Sequence, residues 1–140
     1  MASPGGAKRY LLDTNICIFI AKDQPQSVRK RLAKHSLGDL AMSVITLGEL
    51  RFGAEKSQAR LKALEVISEL STTIPVFGLP EAAADHYGDI RARLQKKGTP
   101  IGNNDLWLAA HARCEGWTLV THNVGEFARV PGLSIENWAE

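Results

Sequence analysis

Three acidic residues stand where a short apolar segment ends or where a helix is predicted to begin. Asp13 follows Tyr10–Leu12, Glu49 follows the apolar segment 42–45, and Asp105 opens a predicted helix. Carboxylate oxygens are the ligands that Mg²⁺ and Mn²⁺ prefer in proteins. If the three side chains meet, their repulsion favours a cation between them, and such an ion can activate water beside a phosphoryl group. The pattern therefore indicates chemistry on phosphate esters.

Each acid also has a local explanation that needs no metal. Asp13 could cap the helix that follows it, since Asp, Thr and Asn favour that position. Thr46 and Glu49 fit the capping box, in which Glu at the third helical position reaches back to the amide of the cap residue. Asp105 would complement the dipole of its helix from the first turn. The two explanations are compatible, because a capping residue can also line a shared site.

Short apolar segments alternate with helical segments along the chain. Strands are predicted at 8–14, 40–46, 72–78, 118–123 and 133–138, and the longest helices at 80–98 and 104–116. This alternation is typical of an α/β domain with a mainly parallel sheet. Ligands bind outside the carboxyl ends of the strands in such a sheet. We therefore expect Asp13, Glu49 and Asp105 to face one rim.

The composition predicts one soluble domain. The chain has 140 residues, of which 44% are hydrophobic and 23% charged, values typical of a globular protein with its own core. No apolar run approaches the roughly 18 residues of a membrane span, and the N-terminus lacks the apolar core of a secretory signal. We expect a cytoplasmic protein with no membrane contact, a flexible leader at 1–8 and a single domain at 9–140.

The net charge of +2 is too small to indicate a nucleic-acid partner by itself. Basic residues are nevertheless concentrated in two runs, SVRKRLAKH at 27–35 and RARLQKKG at 91–98. Such runs are usually solvated helix faces. If the substrate carries phosphates, they are the first places to look for contacts with its backbone.

Other catalytic motifs are missing from the sequence. It contains no G-x-x-x-x-G-K-[ST], no G-x-G-x-x-G after the first strand, no H-E-x-x-H and no G-x-S-x-G. The four histidines show no metal-ligand spacing with Cys17 and Cys114, which we expect to be buried free thiols. Nucleotide-loop, zinc-protease and serine-hydrolase chemistry are therefore disfavoured.

Four blocks of sequence together resemble the PIN-domain family, and more closely the VapC toxins of VapBC toxin–antitoxin pairs. They are LLDTNICIFI, SVITLGELRFGAEKS, GTPIGNNDLWLAAHA and TLVTHNVGEFARVPGLSIENW. The blocks occur in the family's order and the resemblance extends from Arg9 to Trp138. It implies a PIN-like α/β/α sandwich around a mainly parallel sheet of four to five strands.

The resemblance also assigns the site. It implies that Asp13, Glu49 and Asp105 are the acidic catalytic and metal-binding residues. Many PIN domains carry a fourth acid in a T-x-D segment, where this sequence has Asn123, which brings no charge. Glu126 resembles an acid that some VapC toxins place near the site, and it could supply the missing charge. The resemblance further suggests that the side chains of three residues orient the acids: Thr14, Asn15 and Thr121.

The function implied is that of a toxin that inhibits translation and growth. The family resemblance predicts an Mg²⁺- or Mn²⁺-dependent endoribonuclease that cuts structured RNA, for example the anticodon loop of initiator tRNA. It also implies a homodimer, a VapB-type antitoxin partner and higher-order complexes with that antitoxin. Recognition of a loop fits the preference of sequence-specific RNA readers for unpaired bases.

Two alternatives remain open at the level of sequence. A phosphatase of the haloacid dehalogenase type also begins with Asp after an apolar strand, but it is expected to carry D-x-D, whereas the second position here is Asn15. A catalytically silent PIN domain that binds RNA or protein is the other alternative. Asn123 is compatible with it, while the retained Asp13, Glu49 and Asp105 argue against it.

Overall fold

The computed structural model describes residues 8–140, so almost all of the leader predicted at 1–8 lies outside the described residues. The described chain contains five strands: β1 Tyr10–Leu12, β2 Leu40–Ser43, β3 Val76–Phe77, β4 Thr118–Val120 and β5 Ile135–Glu136. Its α-helices are α1 Thr14–Lys22, α2 Gln26–Leu32, α3 Val44–Glu55, α4 Arg60–Thr73, α5 Ala83–Lys96, α6 Asn103–Glu115 and α7 Val124–Phe127.

The strands form one sheet in the order β3-β2-β1-β4-β5, and every neighbouring pair is parallel. From β1 the chain moves outward to β2 and β3, then returns to place β4 on the other side of β1. The strand order therefore reverses between β1 and β4. In open parallel sheets the crevice at such a switch point, outside the carboxyl ends of the strands, is where ligands bind.

The sheet separates two apolar cores, because successive side chains of a strand point to opposite faces. Leu11 and Leu119 pack with α5 and α6 on one face, while Leu12 and Val120 pack with α1 to α4 on the other. This arrangement confirms the predicted α/β/α sandwich with a parallel sheet. Within residues 8–140 no helix is both long and apolar enough to cross a bilayer.

The predicted strand at 40–46 is too long. The structure ends β2 at Ser43 and begins α3 at Val44, although Val44 and Ile45 are β-branched. The reason is the cap: the Ser43 hydroxyl accepts a hydrogen bond from the backbone N–H of Ile45 at 3.2 Å. The prediction of two buried thiols is correct for Cys17 and wrong for Cys114, which is only half-buried.

Candidate active site

Asp13 lies at the switch point between β1 and β4. Its backbone N–H donates to the carbonyl of Val120 at 2.9 Å, which ties it to the neighbouring strand. The side chain is 6% exposed, and its Oδ1 accepts from the backbone N–H of Thr14 at 2.7 Å. Its Oδ2 accepts from the hydroxyl of Thr121 at 2.8 Å. Asp13 is thus both a helix cap and a carboxylate held at the rim of the sheet.

Glu49 reaches the same rim from the second turn of α3. The capping box predicted for Thr46 and Glu49 is wrong, because the cap residue is Ser43, three positions earlier. Glu49 is therefore free of a capping role and accepts a hydrogen bond from the Thr14 hydroxyl at 2.7 Å. Since Thr14 also donates its backbone N–H to Asp13, this one residue connects two of the predicted acids.

Asp105 occupies the first turn of α6, as predicted, with Gly102 at the cap position. Burial is the largest cause that raises the pKa of Asp105, and the negative charges of Glu126, Asp13 and Glu49 raise it further, to about 7. A carboxyl group whose pKa rises in this way lies among other acids. The structure therefore brings together the acids that the sequence placed on separate elements.

We refer to Asp13, Glu49, Asp105 and Glu126 as the acidic rim. Burial raises the pKa of Asp13 as well, although the hydrogen bonds that it accepts act in the opposite direction. Among the described residues, no Lys, Arg or His forms an ion pair with any member of the acidic rim. The negative charge gathered here is not balanced by the described part of the chain.

Asn123 and Glu126 are also in contact. The side-chain amide of Asn123 donates to Glu126 Oε2, and its backbone N–H donates to the hydroxyl of Thr121 at 2.9 Å. Thr121 in turn donates to Asp13. The residue that replaces the fourth acid of the family pattern thus positions Glu126, the acid that could supply the missing charge.

Asn15 is the predicted site residue that the structure does not bring to the acids. Its side chain is exposed on α1, and no side-chain hydrogen bond joins it to another described residue. Thr14 and Thr121, by contrast, each contact a rim acid directly.

A buried polar contact beneath the rim was missed by the sequence analysis. His111 Nδ1 lies 3.0 Å from the hydroxyl of Ser43, linking α6, which carries Asp105, to the start of α3, which carries Glu49. Burial lowers the pKa of His111 to about 4, so the ring is neutral at pH 7. The only sequence signal for this contact is a Ser at the end of an apolar strand, where a cap was possible.

The donor chemistry of the acidic rim fits a hard divalent cation. The rim offers carboxylate oxygens together with the Thr and Asn side chains that orient them, and Mg²⁺ and Mn²⁺ bind such oxygens. In residues 8–140 no three His, Cys, Asp or Glu side chains are already arranged to hold an ion. An ion would therefore have to draw the carboxylates inward or complete its shell with water, as Mg²⁺ commonly does.

An apolar groove shares Glu49 with the acidic rim. Side chains of α1, α3 and α4 line it, and Thr14 and Glu49 are among its lining residues. Its apolar lining includes Ile18 on α1, Leu50 on α3 and Val66 on α4. Apolar surface that remains open beside a site is a common feature of partner-binding grooves.

Known proteins are similar in sequence to this chain along nearly its whole length. The tRNA(fMet)-specific endonuclease VapC of Shigella flexneri is 46% identical, with 94% of this chain and 98% of the relative covered. Ribonuclease VapC2 of Haemophilus influenzae is 41% identical, with 93% of this chain and 98% of the relative covered.

Solved structures of related proteins have the same fold as this chain. The chain superposes on a DNA-bound VapBC of Salmonella typhimurium with a TM-score of 0.87 and 42% identity, covering 94% of this chain and 98% of that one. It superposes on VapBC2 of Rickettsia felis, bound to a promoter DNA fragment, with a TM-score of 0.85 and 36% identity, covering 92% and 98%. The family described as PIN domain matches residues 10–133. The predicted resemblance is confirmed, and the chain belongs to the PIN-domain family.

Proposed function

We propose that this chain is the toxin of a type II toxin–antitoxin pair, an endoribonuclease whose acidic rim hydrolyses RNA and so inhibits translation and growth. The observation that carries the proposal is the convergence of Asp13, Glu49, Asp105 and Glu126 at the switch point without a cationic partner among the described residues. The 46% identity with a tRNA(fMet)-specific endonuclease supports the same activity.

The proposed cofactor is Mg²⁺ or Mn²⁺, held by Asp13, Glu49 and Asp105. The chemistry that such a cation supplies when bound is activation of water and stabilisation of the charge developing on the phosphodiester. The protein's part is to orient the carboxylates. Thr121 and the backbone of Thr14 hold Asp13, and the Thr14 hydroxyl holds Glu49.

Asn123 and Glu126 have a shared role in this proposal. The amide of Asn123 orients the carboxylate of Glu126 toward the side of the rim where Asp105 lies. Glu126 thereby contributes the fourth negative charge that the T-x-D segment of other PIN domains supplies. Asn15, which is exposed, has no role in orienting the acids in this proposal.

The proposed substrate is a structured RNA, and the anticodon loop of initiator tRNA is the first candidate. The name of the Shigella flexneri relative gives tRNA(fMet) as its substrate. The loop of a tRNA presents unpaired bases, which is the form of RNA that proteins read by sequence.

The proposed partners are an antitoxin of the VapB type and a second copy of this chain. Similar solved structures are VapBC assemblies, which supports the antitoxin. The apolar groove that Glu49 helps to line is the surface that we assign to the antitoxin. For the second copy we assign the exposed side of α3, where Val44 is 43% and Phe52 66% exposed. With RNA as substrate, the protein acts in the cytoplasm.

The direct test is cleavage of initiator tRNA by the purified chain, free of antitoxin, in Mn²⁺ and then in EDTA. We expect cleavage in Mn²⁺ and no cleavage in EDTA. The products should carry a 5′-phosphate and a 3′-hydroxyl, because water attacks the phosphorus and the 3′-oxygen leaves. Asp13→Ala should abolish cleavage and relieve growth arrest. Cleavage that persists in EDTA would contradict the metal proposal, and RNA binding without any cleavage would favour the silent PIN module instead.

A further inference from the structure

A second charged surface, of opposite sign, lies at the C-terminal end of α5. One cleft is lined by Arg93 and Lys96 of α5, by Lys97 directly after α5 and by Arg129 after α7, together with Leu94 and Pro131. All four basic side chains belong to exposed residues. We refer to these four residues as the basic cleft.

Three cations of the basic cleft are not neutralised. Arg93 forms an ion pair with Asp89 at 2.8 Å, whereas Lys96, Lys97 and Arg129 form no ion pair with any residue between 8 and 140. Arg129 instead donates from Nη1 to the carbonyl of Pro100 at 3.2 Å, which fixes its position without changing its charge. The cleft therefore keeps a concentrated positive charge that faces solvent.

The other basic run of the sequence, on α2, differs in this respect. Arg29 pairs with Asp23 at 3.5 Å and Arg31 pairs with Glu136 at 3.7 Å, so acids balance half of its four cations. The remaining lysines of that run, Lys30 and Lys34, do not line the basic cleft. Two runs that look equivalent in the sequence are thus distinguished by what the fold places beside them.

The basic cleft adjoins the acidic rim along the chain. Arg129 is three residues from Glu126 and its backbone N–H donates to the carbonyl of Glu126 at 3.2 Å. Three residues span at most about 11 Å. Pro100, which accepts from Arg129, belongs to the loop that leads into α6 and Asp105. Arg129 thus connects the cleft to the segments that carry Glu126 and Asp105.

We propose that the basic cleft binds backbone phosphates of the RNA that is cut at the acidic rim, with Lys96, Lys97 and Arg129 as the contacting cations. The inference rests on the proposed ribonuclease function and adds a phosphate-binding surface to it. Exposed lysine and arginine side chains bind phosphates mainly by charge, independently of base sequence. The cleft therefore positions the strand, while the site of cleavage is selected elsewhere.

The test uses the double substitution Lys96→Ala/Lys97→Ala in the full chain. These side chains are exposed and carry no recorded hydrogen bond in the described structure, so the fold should be retained. The matched control is Lys30→Ala/Lys34→Ala, which removes the same charge from the other basic run, at 27–35. A second variant, Arg129→Gln, removes the third cation. Circular dichroism and thermal unfolding check that each variant is folded.

Two readouts are measured with a fluorescein-labelled tRNA: KM for cleavage in Mn²⁺, and Kd by anisotropy in EDTA, where cutting is prevented. For Lys96→Ala/Lys97→Ala we expect both constants to rise about fivefold to tenfold at 0.15 M salt, with kcat unchanged. The slope of log Kd against log salt should fall by about 1.4, since each of the two lost contacts with a single strand contributes about 0.7. Arg129→Gln should act in the same direction, and the α2 control should leave both constants within about twofold.

Three outcomes would overturn the inference, and a fourth would overturn the proposed ribonuclease function instead. If the cleft variant and the α2 control lose affinity equally, the effect is one of net charge. If the cleft variant binds RNA normally but escapes neutralisation by an acidic antitoxin segment, the cleft serves that partner instead. If tRNA binding depends on the cleft and no RNA is cut, the cleft stands and the ribonuclease function fails. Normal cleavage and binding by a folded cleft variant would leave the function intact and refute the cleft.

Discussion

Asp105 and Asp89 are both helical aspartates on the same side of the sheet, and their surroundings are opposite. Asp89 on α5 accepts from Arg93 Nε at 2.8 Å and from Arg113 Nη2 at 2.8 Å, and these hydrogen bonds lower its pKa. Asp105 on α6 has acids as its charged neighbours, and its pKa rises to about 7. The negative charge of Asp89 is therefore neutralised by arginine side chains, whereas Asp105 has no basic partner in the described structure.

The difference separates charges that serve the fold from charges that serve a ligand. Arg113 also donates to His86 at 2.9 Å and to the carbonyl of Pro131 at 3.0 Å, so the contacts of Asp89 join α5, α6 and the segment after α7. In the acidic rim, threonine hydroxyl groups hold Asp13 and Glu49, and Asp105 has other carboxylates as its charged neighbours. Like charges held together in a folded protein cost stability, and they persist where an ion or a substrate repays that cost.

The largest effect that we predict is on cleavage. Asp105→Asn should reduce tRNA cleavage in Mn²⁺ by at least about 100-fold, because the substitution removes a rim charge while keeping the size of the side chain. Asp89→Asn is the matched control and should cleave within about threefold of the original chain, since Asp89 contacts none of the rim. Equal losses in both variants, measured as initial rates on folded protein, would remove the distinction between the two regions.

The second largest effect concerns metal binding, which should depend on Asp105 and not on Asp89. Adding Mn²⁺ to the original chain should raise the melting temperature, with a stabilisation of about 3 kcal/mol at 100 times the Kd. Asp89→Asn should show the same rise. Asp105→Asn should show little of it, because it lacks one of the proposed ligands. A thermal-shift titration measures all three, and an equal response from Asp105→Asn would place the ion elsewhere.

The contributions of Asp105 and Asp89 to stability should depend on pH with opposite signs. In EDTA the folded pKa of Asp105 is about 7, above its ordinary value of 3.8, so the folded state binds more protons between these values. The contribution of Asp105 to stability therefore falls as the pH rises from about 4 to 7, by about 1–2 kcal/mol for a half-buried group.

Urea unfolding at several pH values checks this sign. Asp105→Asn should gain stability over the original chain as the pH rises, and Mn²⁺ should cancel the gain. Asp89 behaves in the opposite way: its pKa is lowered, so its contribution is present at neutral pH and is lost on acidification through its ordinary value. A stability difference for Asp105→Asn that is independent of pH would contradict the proximity of the rim acids.

The smallest effect is on stability at neutral pH. Asp89→Asn should lower the melting temperature slightly, because it weakens an exposed ion pair to Arg93 and a partly buried one to Arg113. Asp105→Asn in EDTA should raise the melting temperature, because it removes a charged group that destabilises the folded chain at this pH. Calorimetry at pH 7.5 gives both values. A large loss of stability in Asp105→Asn would mean that this acid supports the fold.

The order of the elements and the approach of Asp13, Glu49 and Asp105 to one another could be predicted from local patterns. The apolar segments before Asp13 and Thr121 identify two strands, and parallel pairing is enough to bring their ends together. The start of α3 could not be predicted correctly, because Val44 and Ile45 favour a strand by type, whereas the Ser43 cap and the packing of α3 decide for a helix.

The contacts that tune the site could not be predicted because they join distant parts of the chain. The hydrogen bond from Thr14 to Glu49 spans 35 residues, and the bond from Arg113 to Asp89 spans 24. No local pattern shows that Asp89 forms an ion pair with Arg113 while Asp105 forms none in the described structure. The same holds for the basic runs on α2 and α5, since only the packed structure shows which cations have acids beside them.

The hydrogen bond between Thr121 and Asp13 joins residues that are 108 positions apart. During synthesis Asp13 is made long before β4, Asn123 and Glu126. Pairing between such distant strands forms only when both are available. A nascent chain of this protein therefore carries Asp13 without the strand and the Thr121 hydroxyl that orient it until β4 has also been made.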